Sequence, residues 1–503
     1  MKMLTLPPYL QQLQVEIEKY AKAYGLDCFD TIFEMVDYQR MNEVASYGGF
    51  PVRYPHWRFG MEYERMSKSF SYGLHKIYEL VINNDPCYAY LLEGNSSTEQ
   101  KMVMAHVYGH CDFFKNNQWF APTNRKMMDQ MANHGARVRR YMDKYGVDEV
   151  ETFLDVCLSL DNLIDRHAQY IVRAPFSTQD EDRDRDEETP AVDTPRLTAH
   201  RSYLERYVNP EEAIEKERQK LEAEKVISDK KFPREPVLDI PTFLARHAPL
   251  KKWQEDVMNI VLEEAYYFAP QGMTKIMNEG WASYWHSMIM TRNALNDSEI
   301  IDFAETHSAT MAVSPGGINP YKIGIELFRD IEDRWDRGRF GKEYDECEDL
   351  DEKLHWNRHL GLGREKIFQV RRIYNDVMFL DEFLTPEFCW RLKLFTFEYN
   401  KKRQGFEIFS KDFGEIKKKL LSQLTNFGQP YIYVEDANFK NRGELLLWHR
   451  HDGTDLDQKW GRETLANIGR VWSRPVHVRT LTEHKARLWS HDGREFHDSP
   501  FEG

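Results

Sequence analysis

Apolar residues recur at three- and four-residue spacing through most of the first 340 positions, and at every second position beyond about 385. The first period is that of a helix with one buried face, the second that of a strand with one buried face. The chain therefore reads as α+β: a large, mostly helical body followed by a small C-terminal α+β domain. Helical patterns cover about 9–24, 61–83, 98–114, 125–145 and 148–172, and resume from about 242 to 337. Alternation marks 393–399, 431–434, 445–448, 476–478 and 486–489, interrupted by helical patterns at 411–425 and 458–472.

The helical pattern is broken once by composition. Asp180 to Glu188 is almost entirely charged and lies among Pro175, Pro190 and Pro195. Such a stretch cannot bury enough apolar surface to offset its ordering entropy, so 175–200 reads as a mobile insertion. A solvated Glu/Lys-rich helix is expected from Pro210 to Lys225. The expected organisation is an N-terminal helical part at 1–174, the insertion and solvated helix at 175–235, and a second helical part at 236–345. A helical connector at 346–384 and the C-terminal domain at 385–503 complete it.

Charge and cysteine usage limit the function classes. With 68 Lys and Arg against 82 Asp and Glu, the net charge of −14 offers phosphate no general attraction, so no nucleic-acid partner is expected. A 41% hydrophobic content excludes global disorder. Apolar runs such as 444–448 are far shorter than the ~20 residues of a membrane span, and no apolar stretch of signal-peptide length precedes Pro7 and Pro8. The six cysteines form no Cys-x-x-Cys pair. A cytoplasmic protein is expected.

Two segments carry metal-binding chemistry. In His106-Val107-Tyr108-Gly109-His110 the imidazoles share one helical face and can reach one ion, although two hydrogen-bonded histidines are the plainer reading. Val107 stands where a His-Glu-x-x-His peptidase keeps its general base, so any base must come from elsewhere. Gly109 costs a helix about 1 kcal/mol relative to Ala, which hints at close approach by another element. In Asn278-Glu279-Gly280-Trp281-Ala282-Ser283-Tyr284-Trp285-His286, Glu279, Ser283 and His286 fall on one stripe. A buried Glu279 needs a cation or a metal. His286, two turns away, suits an acid/base or supporting role.

Glu264 lies among Tyr266, Tyr267 and Phe268, where burial would raise its pKa and suit proton transfer. Tyr321, after Asn319-Pro320 and near His307, could stabilise an oxyanion. No Gly-x-Gly-x-x-Gly, phosphate loop or Gly-x-Ser-x-Gly elbow is present.

These segments, with 78–86, 106–117, 266–271, 274–286 and 319–324 in order, resemble the stage V sporulation protein R (SpoVR-like) family from about residue 9 to 495. The resemblance implies a link to spore-cortex formation or to a stress or stationary-phase response. It also implies partnership with a serine protein kinase and a von Willebrand-like domain protein. Asn-Glu-Gly-x-Ala after His-x-x-x-His is further similar to zincin metallopeptidases, which would make His106, His110 and Glu279 ligands of zinc, with iron as the alternative, on zincin-like helices. Two functions follow. One is a zinc-dependent hydrolase of an amide bond, using Glu264 as base and Tyr321 or His286 as stabiliser. The other is a non-catalytic adaptor in a kinase-linked complex, built on a structural ion or a polar network.

Overall fold

The computed structural model describes residues 6–71, 79–171, 210, 214–216, 218, 231–313, 317–400 and 403–501. The charged 175–200 stretch, and all but a few residues of the expected 210–225 helix, lie outside them. The chain divides into two compact units, Met1–Thr152 with Glu263–Gln429, and Phe153–Leu262 with Pro430–Gly503. The architecture is helical with a C-terminal sheet, as the two periods predict.

The first unit is organised around three helices. Ser97–Asn116, the histidine helix, opens with a capping box in which Ser96 and Glu99 satisfy each other's backbone N–H groups. It is buried on every side from Gln100 to Phe114, histidines included. Lys275–Ile289, the glutamate helix, has no side-chain cap from Thr274; Asp376, distant in sequence, accepts from Ile276 N and Met277 N instead. The third helix, Pro320–Arg337, is capped by Asn319 and ends on left-handed Gly338.

Glycines set the spacing of these helices. A Cβ on Gly109 would stand 2.6 Å from Ala282 Cα, which is the close approach expected of that residue. One on Gly324 would stand 2.2 Å from the Ile276 carbonyl oxygen and 2.6 Å from Gly280 Cα. Backbone cannot yield as a flexible side chain does, so Gly324→Ala should cost about 2–3 kcal/mol by overpacking. Urea unfolding checks this; an unchanged midpoint would mean that the two helices are free to separate.

A three-stranded sheet packs beside these helices. β1 (Thr31–Val36) runs parallel to β3 (Cys87–Leu92), and β2 (Glu79–Ile82) pairs antiparallel with β3. The expected helix over 61–83 is corrected here: helix Trp57–Ser71 ends first, and 79–82 form a strand. The run Leu80-Val81-Ile82 before Asn83-Asn84-Asp85-Pro86 carries strand and turn chemistry. The helix expected over 148–172 likewise stops at Leu158 and continues as short 3-10 turns.

A hairpin of β4 (Thr396–Asn400) and β5 (Gly405–Ser410) and the helix Phe413–Leu424 also belong to the first unit, because Ile416 and Leu420 join its core. The second unit, which also holds Phe153–Leu262, resumes at Pro430. Its five strands are β6 (Tyr431–Phe439), β7 (Glu444–Arg450), β8 (Val476–Thr482), β9 (Lys485–His491) and β10 (Phe496–Pro500), ordered β10-β9-β8-β7-β6. Only β7 and β8 are parallel, and the helix Gln458–Trp472 makes the crossover between them.

Candidate metal centre

His106, His110 and Glu279 converge, although 169 residues separate the second from the third. Nε2 of His106 lies 3.4 Å and Nε2 of His110 3.5 Å from the same oxygen, Glu279 Oε2. The three candidate ligand atoms all lie within 4.8 Å of one another, and no other cluster of this kind occurs among the described residues. The three residues are 4–6% exposed. Tetrahedral bonds of about 2.0–2.2 Å place neighbouring ligand atoms roughly 3.3–3.5 Å apart, which matches the two N–O separations.

The other ring nitrogens are engaged in the way metal ligands require. His110 Nδ1 lies 2.9 Å from Asn278 Oδ1, an oxygen that can accept from Nδ1–H and so leave the Nε2 lone pair to an ion when one is bound. His106 Nδ1 lies 2.8 Å from His286 Nδ1, and His286 Nε2 lies 3.0 Å from His307 Nδ1. If His106 donates from Nδ1, His286 must donate from Nε2, and the row of three imidazoles has one consistent direction. Tyr321 stacks on His106, ring centroids 6.1 Å apart. The structure thus joins His286 and Tyr321 to the triad. Ser283, buried on the same stripe, has an Oγ with no hydrogen-bond partner.

Burial alone would push the Glu279 carboxyl up; without an ion, Nε2–H donation from His106 and His110 and then the charges of His110 and Lys275 outweigh it and hold the group well below its usual range, and an ion would take the place of those two protons. Lys275 Nζ donates to Glu279 Oε1 at 2.6 Å, leaving Oε2 for the imidazoles. Burial, and then the neighbouring His106 and His307, push His286 well below the ordinary imidazole range, so it is neutral at pH 7. Lys275 and Asn278 carry no sequence signal beyond their positions at i−4 and i−1 from Glu279.

Glu264 is placed elsewhere. Its Oε2 is ion-paired to Arg53 and accepts from the Tyr54 hydroxyl at 3.1 Å, while Oε1 lies 3.3 Å from His134 Nδ1. None of these partners belongs to the triad. The raised pKa expected from burial is also corrected: burial does push up, but the Arg53 charge and the His134 bond bring the carboxyl below its usual value. The sequence showed the aromatic surroundings and could not show Arg53, which is 211 residues away.

Asp376 supports the site from behind. Burial raises its pKa to about 7 against the pull of the two backbone N–H groups it caps. A carboxyl raised above its unfolded value of 3.8 takes up a proton on folding, so its contribution is largest below about pH 4 and falls as pH rises towards 7. Asp376→Asn does not titrate. The stability advantage of wild type over this variant should therefore shrink by a few kcal/mol between pH 4 and 8. Urea midpoints of the pair across that range check it, and a constant difference would mean that Asp376 is ionised throughout.

A family profile described as "SpoVR like protein" matches residues 6–429. A relative named "Uncharacterized protein YcgB", from Escherichia coli (strain K12), is 30% identical over 497 residues, covering 93% of this chain and 91% of the relative. No solved structure matches.

Proposed function

The chain belongs to the SpoVR-like family, and on that footing we propose that it is a zinc-dependent hydrolase of an amide bond, with His106, His110 and Glu279 as the ligands. One observation carries the reading: two Nε2 atoms face one carboxylate oxygen while both Nδ1 atoms are held by neighbours. A zinc ion bound there would polarise a carbonyl and lower the pKa of a bound water. Lys275 holds Oε1 so that Glu279 offers a single oxygen, and Asn278 and His286 orient the rings. Tyr321, packed on His106, is the candidate oxyanion stabiliser. His286, neutral and linked through His307, is the candidate to pass a proton, a role that Glu264 cannot fill while bound to Arg53.

Substrates of this chemistry include protein and cell-wall peptide amides, in keeping with the spore-cortex or stress roles the family resemblance implies. The test is hydrolysis of peptide and muropeptide mixtures by the full chain, stripped with a chelator and reloaded with zinc. Release of new amino termini that needs zinc and Glu279 supports the reading. Stoichiometric metal without turnover on any amide overturns it.

A second reading is favoured by Val107, which replaces the usual base, and by the low exposure of the three ligands. In that reading the ion is structural and the protein is an adaptor for a serine protein kinase and a von Willebrand-like domain protein. Zinc bound without exchange, together with kinase capture that survives Tyr321→Phe, would favour it.

A further inference from the structure

The average charge of the chain conceals a reversal. Between Trp390 and Lys419 the sequence carries nine Lys and Arg against four Asp and Glu, in a chain of net charge −14. The same stretch holds seven aromatic residues. Several of them are left outside the core: Trp390 is 62% exposed, Phe409 64%, and Tyr399 and Phe406 54% each. Water-facing aromatics at this density, three on a two-stranded hairpin and Trp390 on the helix before it, mark an interaction surface.

Register shows how the hairpin presents them. Tyr399 lies opposite Phe406 and Phe397 opposite Ile408, so these four share one face; the register then shifts, leaving Phe409 as the extra residue. The face leads directly into a cavity of about 340 Å³, because Phe397 also forms part of its wall. Leu392, Leu394, Phe395, Ile416 and Leu420 supply apolar lining, and Lys322, Lys393 and Lys419 its charges. Among the described residues no Asp or Glu lines it. Lys411 lies over the rings of Trp390 and Phe395, 5.3 and 5.4 Å from their centroids.

We propose that the β4–β5 hairpin and the adjoining cavity form a docking surface for an anionic phospholipid bilayer. The aromatic row enters the interface, where amphipathic rings are most stable, and the lysines meet the lipid phosphates. The cavity is of a size to take an acyl-chain segment, and Lys393 and Lys419 of its lining are both exposed and would face the headgroup. Aliphatic walls beside the rings distinguish this surface from a stacking platform for bases, which needs aromatic faces over a charged groove. Among the described residues no helix is long and apolar enough to cross a membrane, so the association is peripheral.

The test is flotation of the full chain with vesicles of phosphatidylcholine alone or with 30% phosphatidylglycerol. Binding is expected only to the anionic vesicles and should weaken at high salt. Each basic residue near such a surface contributes about fivefold in affinity, so Lys418→Glu with Lys419→Glu on the exposed helix face should weaken binding at least about tenfold. Tyr399→Ser with Phe409→Ser should weaken it without changing the salt dependence. Circular dichroism confirms folding of each, and the lysine variant keeps the proposal testable if the hairpin variant unfolds. Failure to bind anionic vesicles, equal binding to neutral ones, or binding unchanged in both variants overturns the proposal. So does tighter binding to a single-stranded oligonucleotide, or self-association through this face.

Discussion

Glu279→Ala should lower zinc affinity at least a hundredfold, and His106→Ala and His110→Ala should do the same. The arithmetic follows from the coordination: structural zinc sites bind with about 10–16 kcal/mol shared over their ligands, so one ligand carries about 3 kcal/mol or more. The supporting residues should rank below them. His286→Ala and Asn278→Ala leave the ligand atoms in place and free only the rings, which typically costs 10–100-fold. Competition titration against a chromophoric chelator measures all five. The order is the informative part. Equal losses for Asn278→Ala and Glu279→Ala would mean that the variants unfold the helix pair, and undiminished affinity in Glu279→Ala would remove the carboxylate from the site. In wild type, zinc at 1,000 times its dissociation constant should add about 4 kcal/mol of stability.

The same geometry explains why three helices must be locked at close range. Glu279 reaches the histidines because Gly109 admits Ala282 of the glutamate helix, and Gly280 admits Gly324 of the third helix. Backbone contact on both sides fixes the depth of the glutamate helix to a fraction of an ångström, which ligand geometry demands. Asp376 fixes its first turn from a third direction. A site assembled this way resists small displacements, and the glycines that cost helix propensity are what bring His106, His110 and Glu279 together.

Much of this was legible in the sequence, for reasons particular to each residue. The i, i+4 spacing put His106 and His110 on one face, and Gly109 announced the close approach of another element. A carboxylate amid Trp281, Tyr284 and Trp285 has to find a partner, and it was the resemblance to zincin metallopeptidases that pointed Glu279 to the two histidines. The strand at 79–82 was not legible: it is too short to establish a period, and its neighbours in the sheet come from 31–36 and 87–92. Helical spacing continued from 61 absorbed it. Lys275 and Asn278 were equally silent, since a lysine and an asparagine on a helix are ordinary surface residues until their partners are known. The basic hairpin was hidden by averaging, as a net charge of −14 describes the whole chain and no face of it.

Glu264→Gln should destabilise the protein by about 3–5 kcal/mol while leaving zinc binding at the proposed site unchanged. The amide keeps the shape of the carboxylate and loses its charge, so Arg53, only 10% exposed at its side chain, is left as a buried cation without its anion. Tyr54 and His134, which contact the same two oxygens, lose a charged acceptor as well. Removing both members of the pair is expected to be milder: Arg53→Met with Glu264→Leu restores apolar packing and should recover most of the loss, as buried ion pairs barely exceed their own desolvation. Urea unfolding of the single and double variants gives the coupling directly. The pH dependence has a definite sign. Glu264 titrates below its unfolded value, so its contribution is present above the ordinary carboxylate pKa and is lost as pH falls through the lower folded one. A Glu264→Gln variant of wild-type stability that has lost zinc-dependent turnover would return this residue to the role of base, and the separation between the two buried polar clusters would have to close during the reaction.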